Sequence, residues 1–519
     1  MKTQRLRRLI SCLALCALLA GVMPFHAAAA QFRDVPASHP AAESVYRCVE
    51  LGYFQGESAS SFGLGNPMTR GNFMVVLNRF FDWEPATPPK SATPTYKDVP
   101  AQSRYYTAVE TAVANGALTA QLDLFRPDDS ITREELAEIL VRALGYSQLA
   151  GVVQDLPIPY RDVRTNVGYI TVAYDFSLID GTSRSTFAPE QAATREELAV
   201  ILTRLHDKLE NPASWQNGVA SSLSEIPDPA GTAITAVPAL RLIAAGRPTL
   251  INTMDSAAAA EVREGVQQAG GAALLCVTGG PSSLNGDTAE TAKLLVDAVN
   301  DGGYDGLYLD IGQIKGTQEL PMTKLAAALG QALGDKSFYL VVAAPSWHGE
   351  DPDGYNYAAL GASADKLVLR LPAYAVQENG IPVAPPEPLE ELYFTLGQLR
   401  DTVDWNKLSI LLTTTATLYY DGEDKGGISR EELAALLAEE SAVAYYSQRY
   451  GCRYVMAQVE ERRVKHSALV WYLDEEGIQA RARLAALFGV DQLFLESWDG
   501  LPRASDAPAE TAGEAEAVE

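Results

Sequence analysis

Three arginines, Arg70, Arg133 and Arg195, recur 63 and 62 residues apart, each directly after a threonine and ahead of an apolar helical run. A threonine so placed caps the helix. The arginine then puts a cation at the positive end of the helix dipole, which costs roughly 0.3–1 kcal/mol at low salt. That placement calls for a negative partner: an aspartate of a neighbouring repeat, or an external anion held by guanidinium and N-terminal amides together. Thr132 with Glu135, and Thr194 with Glu197, fit the reciprocal capping box, whereas the first copy has Asn72 in place of the glutamate.

A second group lies at 304–312. Strand periodicity puts Leu307, Leu309 and Ile311 on one face and Tyr308, Asp310 and Gly312 on the other. An inward aspartate is either a substrate-orienting acid or a buried acid satisfied by backbone, while Gly312 has no proton to give. Tyr308, Trp347 and Trp498 either fill a core or make a floor on which sugar rings stack. Glu350 and Glu496 are further carboxylates beside predicted strand ends. The five histidines are dispersed, and Cys48, Cys276 and Cys452 lie far apart, so neither a metal cluster nor a disulfide framework is expected, and no cofactor.

The elements that must position these groups follow from the spacing. Phe32-Arg33-Asp34-Val35, Tyr96-Lys97-Asp98-Val99 and Tyr160-Arg161-Asp162-Val163 open three units whose aspartates recur every 64 residues, so residues 31–90, 91–154 and 155–218 are read as tandem helical repeats. Leu136, Ile139, Leu140 and Leu144 fall on one face of the second helix. Gly52, Gly116 and Gly181 are placed to end the first helices and to let a ligand approach the backbone; Ser177 and Ala120 interrupt the pattern where the first copy has Gly52 and Gly56. Residues 219–238 are read as a linker. From 239 to 503 strand-like and helical runs alternate over about the length of one (β/α)8 barrel, giving a multidomain chain of all-α repeats plus an α/β barrel.

Residues 1–30 have the basic, apolar and small-residue order of a secretory signal, and 504–519 read as a disordered acidic tail. The formal charge is −25, and loss of the four basic residues of the signal makes it more negative still. Phosphate binding needs a basic footprint, so nucleic acid is excluded as a partner. Once the signal is cleaved, no integral membrane association is expected.

The tandem pattern resembles the S-layer homology (SLH) family, whose members hold bacterial surface proteins on the cell wall. The resemblance implies that Arg70, Arg133 and Arg195, with Asp34, Asp98, Asp162, Gly52, Gly116 and Gly181, meet an anionic, typically pyruvylated, secondary wall polysaccharide, the three grooves being unequal. The strand at 304–312 is similar to the Asp-Gly-x-Asp-x-Asp-x-Glu strand of family-18 glycoside hydrolases, chitinase-like barrels with a spore-germination branch. In that family the last glutamate protonates the glycosidic oxygen and the aspartate two residues earlier orients the substrate N-acetyl group. Here Asp310 holds the second place, Gly312 stands at the first and Tyr308 at the aspartate before it, and Arg370-Leu371-Pro372-Ala373 stands where the family has Met-x-Tyr-Asp. The resemblance therefore implies an inactive barrel that binds N-acetylglucosamine-containing glycan, in a cleft of Tyr308, Asp310, Trp347 and Trp498, or that serves as an interaction domain. The alternative is an active wall hydrolase with a displaced acid, Glu350 or Glu496.

Overall fold

A computed structural model describes residues 32–86, 93–120, 123–244, 246–347 and 352–500. The expected signal, the expected tail and Glu350 lie outside the described residues. The chain divides into two compact units, the first built from residues up to 145 together with 159–166 and 181–204.

In the first unit the opening helices Ala42–Glu50 and Tyr106–Ala114 alternate with the capped helices Arg70–Phe80 and Arg133–Ala143, and Arg195 begins the third capped helix, Arg195–Glu210. Their apolar stripes, among them Val45, Phe73, Leu77, Val109, Leu136, Leu140, Leu198 and Leu202, are buried. The repeats are nonetheless not all-α. Isolated β-bridges join Pro67 to Thr194, Thr69 to Ser130 and Thr132 to Ala192. Between them runs a three-way ring of backbone bonds: Met68 N to Ala193 O (2.8 Å), Ala193 N to Ile131 O (2.9 Å) and Ile131 N to Met68 O (2.9 Å). Each residue of the ring precedes a capping threonine, so one hydrogen-bond circuit sets the start of all three capped helices.

The second unit comprises 146–158, 167–180 and 205 onward. Its main sheet has nine strands; Pro248–Asn252 pairs antiparallel at an edge and the other eight are parallel. In chain order these are Asn217–Val219, Ile234–Ala244, Ala272–Thr278, Gly306–Asp310, Ser337–Ala343, Lys366–Arg370, Leu408–Leu412 and Leu493–Leu495. The first pairs with both the second and the eighth, which closes the barrel. The barrel thus begins at 217, and the stretch expected to be a linker contains the start of its second strand. Two features hide these first two strands in the sequence. Asn217-Gly218 looks like a turn, and Pro238 looks like a breaker; the register shifts between Val237 and Leu240, an irregularity at which a missing N–H is tolerated.

Inside the barrel Ala236, Leu274, Cys276, Tyr308, Tyr339, Val341, Val368, Leu411 and Phe494 form one cluster. Two excursions leave its carboxyl end. A hairpin, Val376–Glu378 with Ile381–Val383, follows strand six. Between strands seven and eight stands a five-stranded antiparallel sheet with the helix Arg430–Leu437, an insert not expected from the sequence. The helix Val167–Asp175 also belongs to this unit. Phe176 beyond it packs on Tyr393 and Phe488, and Asp175 pairs with Arg400 at 3.4 Å.

Candidate functional site

The three arginines are found buried, at 6, 6 and 8% exposure. Each reaches into the next repeat, and the third returns to the first. The Nε of Arg70 donates to Phe125 O (2.7 Å), that of Arg133 to Phe187 O (3.0 Å) and that of Arg195 to Phe62 O (2.8 Å). Each guanidinium also lies over the ring of that phenylalanine, 4.8, 4.9 and 4.8 Å from its centroid.

The negative partner is a glutamate of the neighbouring repeat, not an aspartate: Glu135 for Arg70 (2.5 Å) and Glu197 for Arg133 (3.6 Å). These are the same glutamates that close the capping boxes of the second and third copies. The first copy has Asn72 there, so Arg195 turns to Glu57 at 4.0 Å and to Gln55 O at 2.7 Å. The N-terminal amides expected to receive an anion are also bonded internally. Arg70 N donates to Asp129 O, Gly71 N to Pro127 O, Arg133 N to Gln191 O, Glu134 N to Pro189 O and Arg195 N to Asn66 O.

The three aspartates gather backbone amides. Asp34 accepts from Phe62, Gly63 and Leu64 N and from Ser61 Oγ; Asp98 accepts from Phe125 and Arg126 N; Asp162 accepts from Phe187 and Ala188 N. They therefore fix the loop whose phenylalanine carries the arginine. Burial pulls the pKa of Asp34 upward, but its four donors outweigh that and hold it well below the usual carboxylate range. The Phe187 and Ala188 amides likewise lower Asp162.

Gly52 and Gly116 have φ of +79° and +71°, and Ser177 adopts +55° at the matching place, so all three close helices in the left-handed conformation. Gly181 is there for another reason. A Cβ on it would sit 2.3 Å from the Tyr160 ring, as one on Gly56 would sit 2.5 Å from Phe32, so the close approach expected of a ligand is made by the repeat's own opening aromatic.

At the barrel's carboxyl end, the interior positions Tyr308, Val368 and Phe494 each have a charged residue two places on: Asp310, Arg370 and Glu496. Strands four, six and eight supply them, the alternate-strand layering of such barrels. Arg370 holds Asp310 bidentately (Nη1–Oδ1 3.1 Å, Nη2–Oδ2 2.6 Å), and Gly312 N donates to Oδ1 at 2.9 Å. Glu496 makes no side-chain hydrogen bond or ion pair among the described residues. Although its side chain reaches solvent, desolvation raises its pKa, with Arg370 opposing and Asp310 adding to the rise. Tyr308 and Trp498, expected in a cleft, are 3 and 5% exposed. Tyr308 stacks on Phe494 at 4.9 Å inside the barrel, and the Trp498 indole lies where a Cβ on Gly218 would come within 2.8 Å of its nitrogen. Both are core residues, Tyr308 in the barrel-interior cluster and Trp498 against Gly218 of the first strand. Trp347 is half-buried and stacked on Phe394.

A second acidic group, not apparent from residue spacing, is Glu387, Glu390 and Glu391 at the start of the helix Leu389–Leu399. All three are buried and together they pin the rim. Glu387 accepts from Thr413 N just beyond strand seven (3.1 Å to each oxygen), Glu391 from Ser346 Oγ and Trp347 N beyond strand five, and Glu390 from Tyr374 Oη and Arg449 of the insert. Burial pushes the Glu387 pKa up to about 7. Its φ of +31° lies in a region that non-glycine residues avoid. Pro386-Glu387-Pro388 was the available signal, but acids at a helix start read as dipole complements.

The S-layer homology domain model matches residues 31–74, 95–137 and 159–199. A cell surface protein of Thermoanaerobacter kivui is 28% identical over 207 residues, covering 39% of this chain and 24% of that protein. The S-layer protein sap of Bacillus anthracis is 30% identical over 209 residues, covering 39% and 25%. The chain spans about a quarter of the length of these curated relatives. Among solved structures, a chitinase from Chromobacterium violaceum superposes with a TM-score of 0.47 at 16% identity, over 57% of this chain and 96% of that one. The chain carries three S-layer homology domains, followed by a closed eight-stranded parallel barrel.

Proposed function

We propose that the chain is anchored at the bacterial cell surface by its three S-layer homology domains, which bind an acidic, pyruvylated wall polysaccharide, and that its barrel binds glycan without cleaving it. The observation that carries the absence of cleavage is the Asp310–Arg370 pair. The carboxylate that would orient a substrate N-acetyl group is spent on a guanidinium and on Gly312 N, at a rim where Gly312 offers no acid. A positioned general acid is worth typically 10²–10⁴-fold, so turnover of chitin oligomers or peptidoglycan should be undetectable. Binding of N-acetylglucosamine oligomers, followed by tryptophan fluorescence, should nonetheless saturate. Release of reducing ends by the purified chain would refute the non-catalytic reading.

For the anchor, the chain should co-sediment with purified wall sacculi and be released as salt rises. Undiminished sedimentation with sacculi stripped of acidic polymer would sink the polysaccharide assignment. A hydrolase working through Glu496 is the second reading, supported by that carboxyl's raised pKa in a barrel mouth. It requires activity that Glu496→Gln abolishes.

A further inference from the structure

The charged layer at the barrel mouth has an unbalanced member. Arg370 is engaged on both terminal nitrogens by Asp310, so that pair is neutral as a unit. Glu496 is left over. It continues the inward face of strand eight two residues beyond the buried Phe494, its backbone is fixed by donation from its own N to Leu412 O on strand seven, and its carboxylate has no hydrogen-bond or ionic partner among the described residues. Arg370 attracts it across the rim but is already closed on Asp310, so no cation among the described residues bonds to it. Arg481, which acts on the rim carboxylate Glu387, spends its Nη atoms on the carbonyls of Gly451, Gly477, Pro386 and Tyr450. An exposed carboxylate without a bonded partner, beside an ion pair already closed, complements a positive group arriving from outside.

We propose that Glu496 makes the barrel mouth selective for a hexosamine unit bearing a free, protonated amine, over the same unit N-acetylated. This deepens the glycan-binding reading and rests on it. The geometry disfavours the acetylated sugar from the other side as well. Asp310, the acceptor such an amide would need, already takes two guanidinium nitrogens and the Gly312 amide. An amide N–H could also donate to the Glu496 carboxylate, but an ammonium adds ion-pair attraction to that charge-assisted hydrogen bond.

The test is calorimetric titration of the full chain, near neutral pH, with glucosamine tetramer and with N-acetylglucosamine tetramer. The amine-bearing tetramer should bind about tenfold more tightly. Glu496→Gln should bring the two to within about twofold of each other. Because the chain is acidic throughout (−25), an unspecific attraction for any polycation must be separated out, and Asp421→Asn, which removes an exposed carboxylate of the insert, serves for that. Equal losses in Glu496→Gln and Asp421→Asn would overturn the assignment. So would a preference for the acetylated tetramer, which would leave glycan binding itself intact. No binding of either tetramer would remove the glycan reading together with this one.

Discussion

At the scale of single residues, the mouth of the barrel turns on two carboxylates that have opposite relations to their surroundings. Asp310 is closed in a bidentate ion pair with Arg370, and the pair is only partly screened, with side chains 16 and 39% exposed. Arg370→Met should therefore lower stability by about 1–3 kcal/mol, less than the loss of one member of a fully buried pair, while Asp310→Asn with Arg370→Met should recover most of it. A denaturant-unfolding double-mutant cycle measures both; an additive result would mean that the pair is not coupled. Glu387 is the converse case. Its folded pKa of about 7 lies above the ordinary 4.5, so the native state holds the proton more tightly than the unfolded chain does. Stability from this group is full below the ordinary value and falls by about 3 kcal/mol as pH rises through 7. Thermal midpoints of the second unit should drop between pH 5 and 8, and Glu387→Gln should flatten the profile. Asp310 was readable in the sequence because strand alternation assigns its face. Its partner lies 60 residues away and could be paired with it only once the barrel closed.

At the scale of elements, the capped helices were legible because Thr-Arg-Glu-Glu states a cap and a first turn in four residues. The use of the arginines was not legible, since each glutamate serves two roles and the second is played by another repeat. Asn72→Glu should restore both roles in the first copy, reciprocal cap and near partner for Arg195, and raise the thermal midpoint of the first unit by an amount equivalent to about 1 kcal/mol. No gain would mean that the contact of Asn72 with the Tyr105 hydroxyl (3.1 Å) is worth as much as the box. The insert escaped detection for a different reason. Its edge strand Glu423–Ile428 reads Glu-Asp-Lys-Gly-Gly-Ile and is exposed over all but its last residue. Charge and glycine there blunt an open sheet edge, and that is the composition from which one predicts a turn.

At the scale of the whole molecule, the third repeat contributes to both compact units, because Val167–Asp175 clusters with the barrel while Gly181–Arg204 clusters with the other repeats. A chain ending at 216 would strip Phe176 of Tyr393 and Phe488 and Asp175 of Arg400. Its third repeat should show hydrogen exchange faster than in the full chain by an order of magnitude or more; equal protection would show that the repeat stands without the barrel. The backbone circuit through Met68, Ile131 and Ala193 bears on a different matter, the inheritance of such a chain. Tandem copies in a gene are prone to unequal crossing-over, which deletes or adds one copy in register. Here either event breaks a circle that closes only at three. A two-copy product loses the carbonyl that one surviving amide needs and the phenylalanine under one surviving guanidinium, and a four-copy product has to open the circuit to admit the newcomer. The copies can diverge one by one, as Asn72 and Ser177 have done, but their number is fixed by the chemistry of the ring.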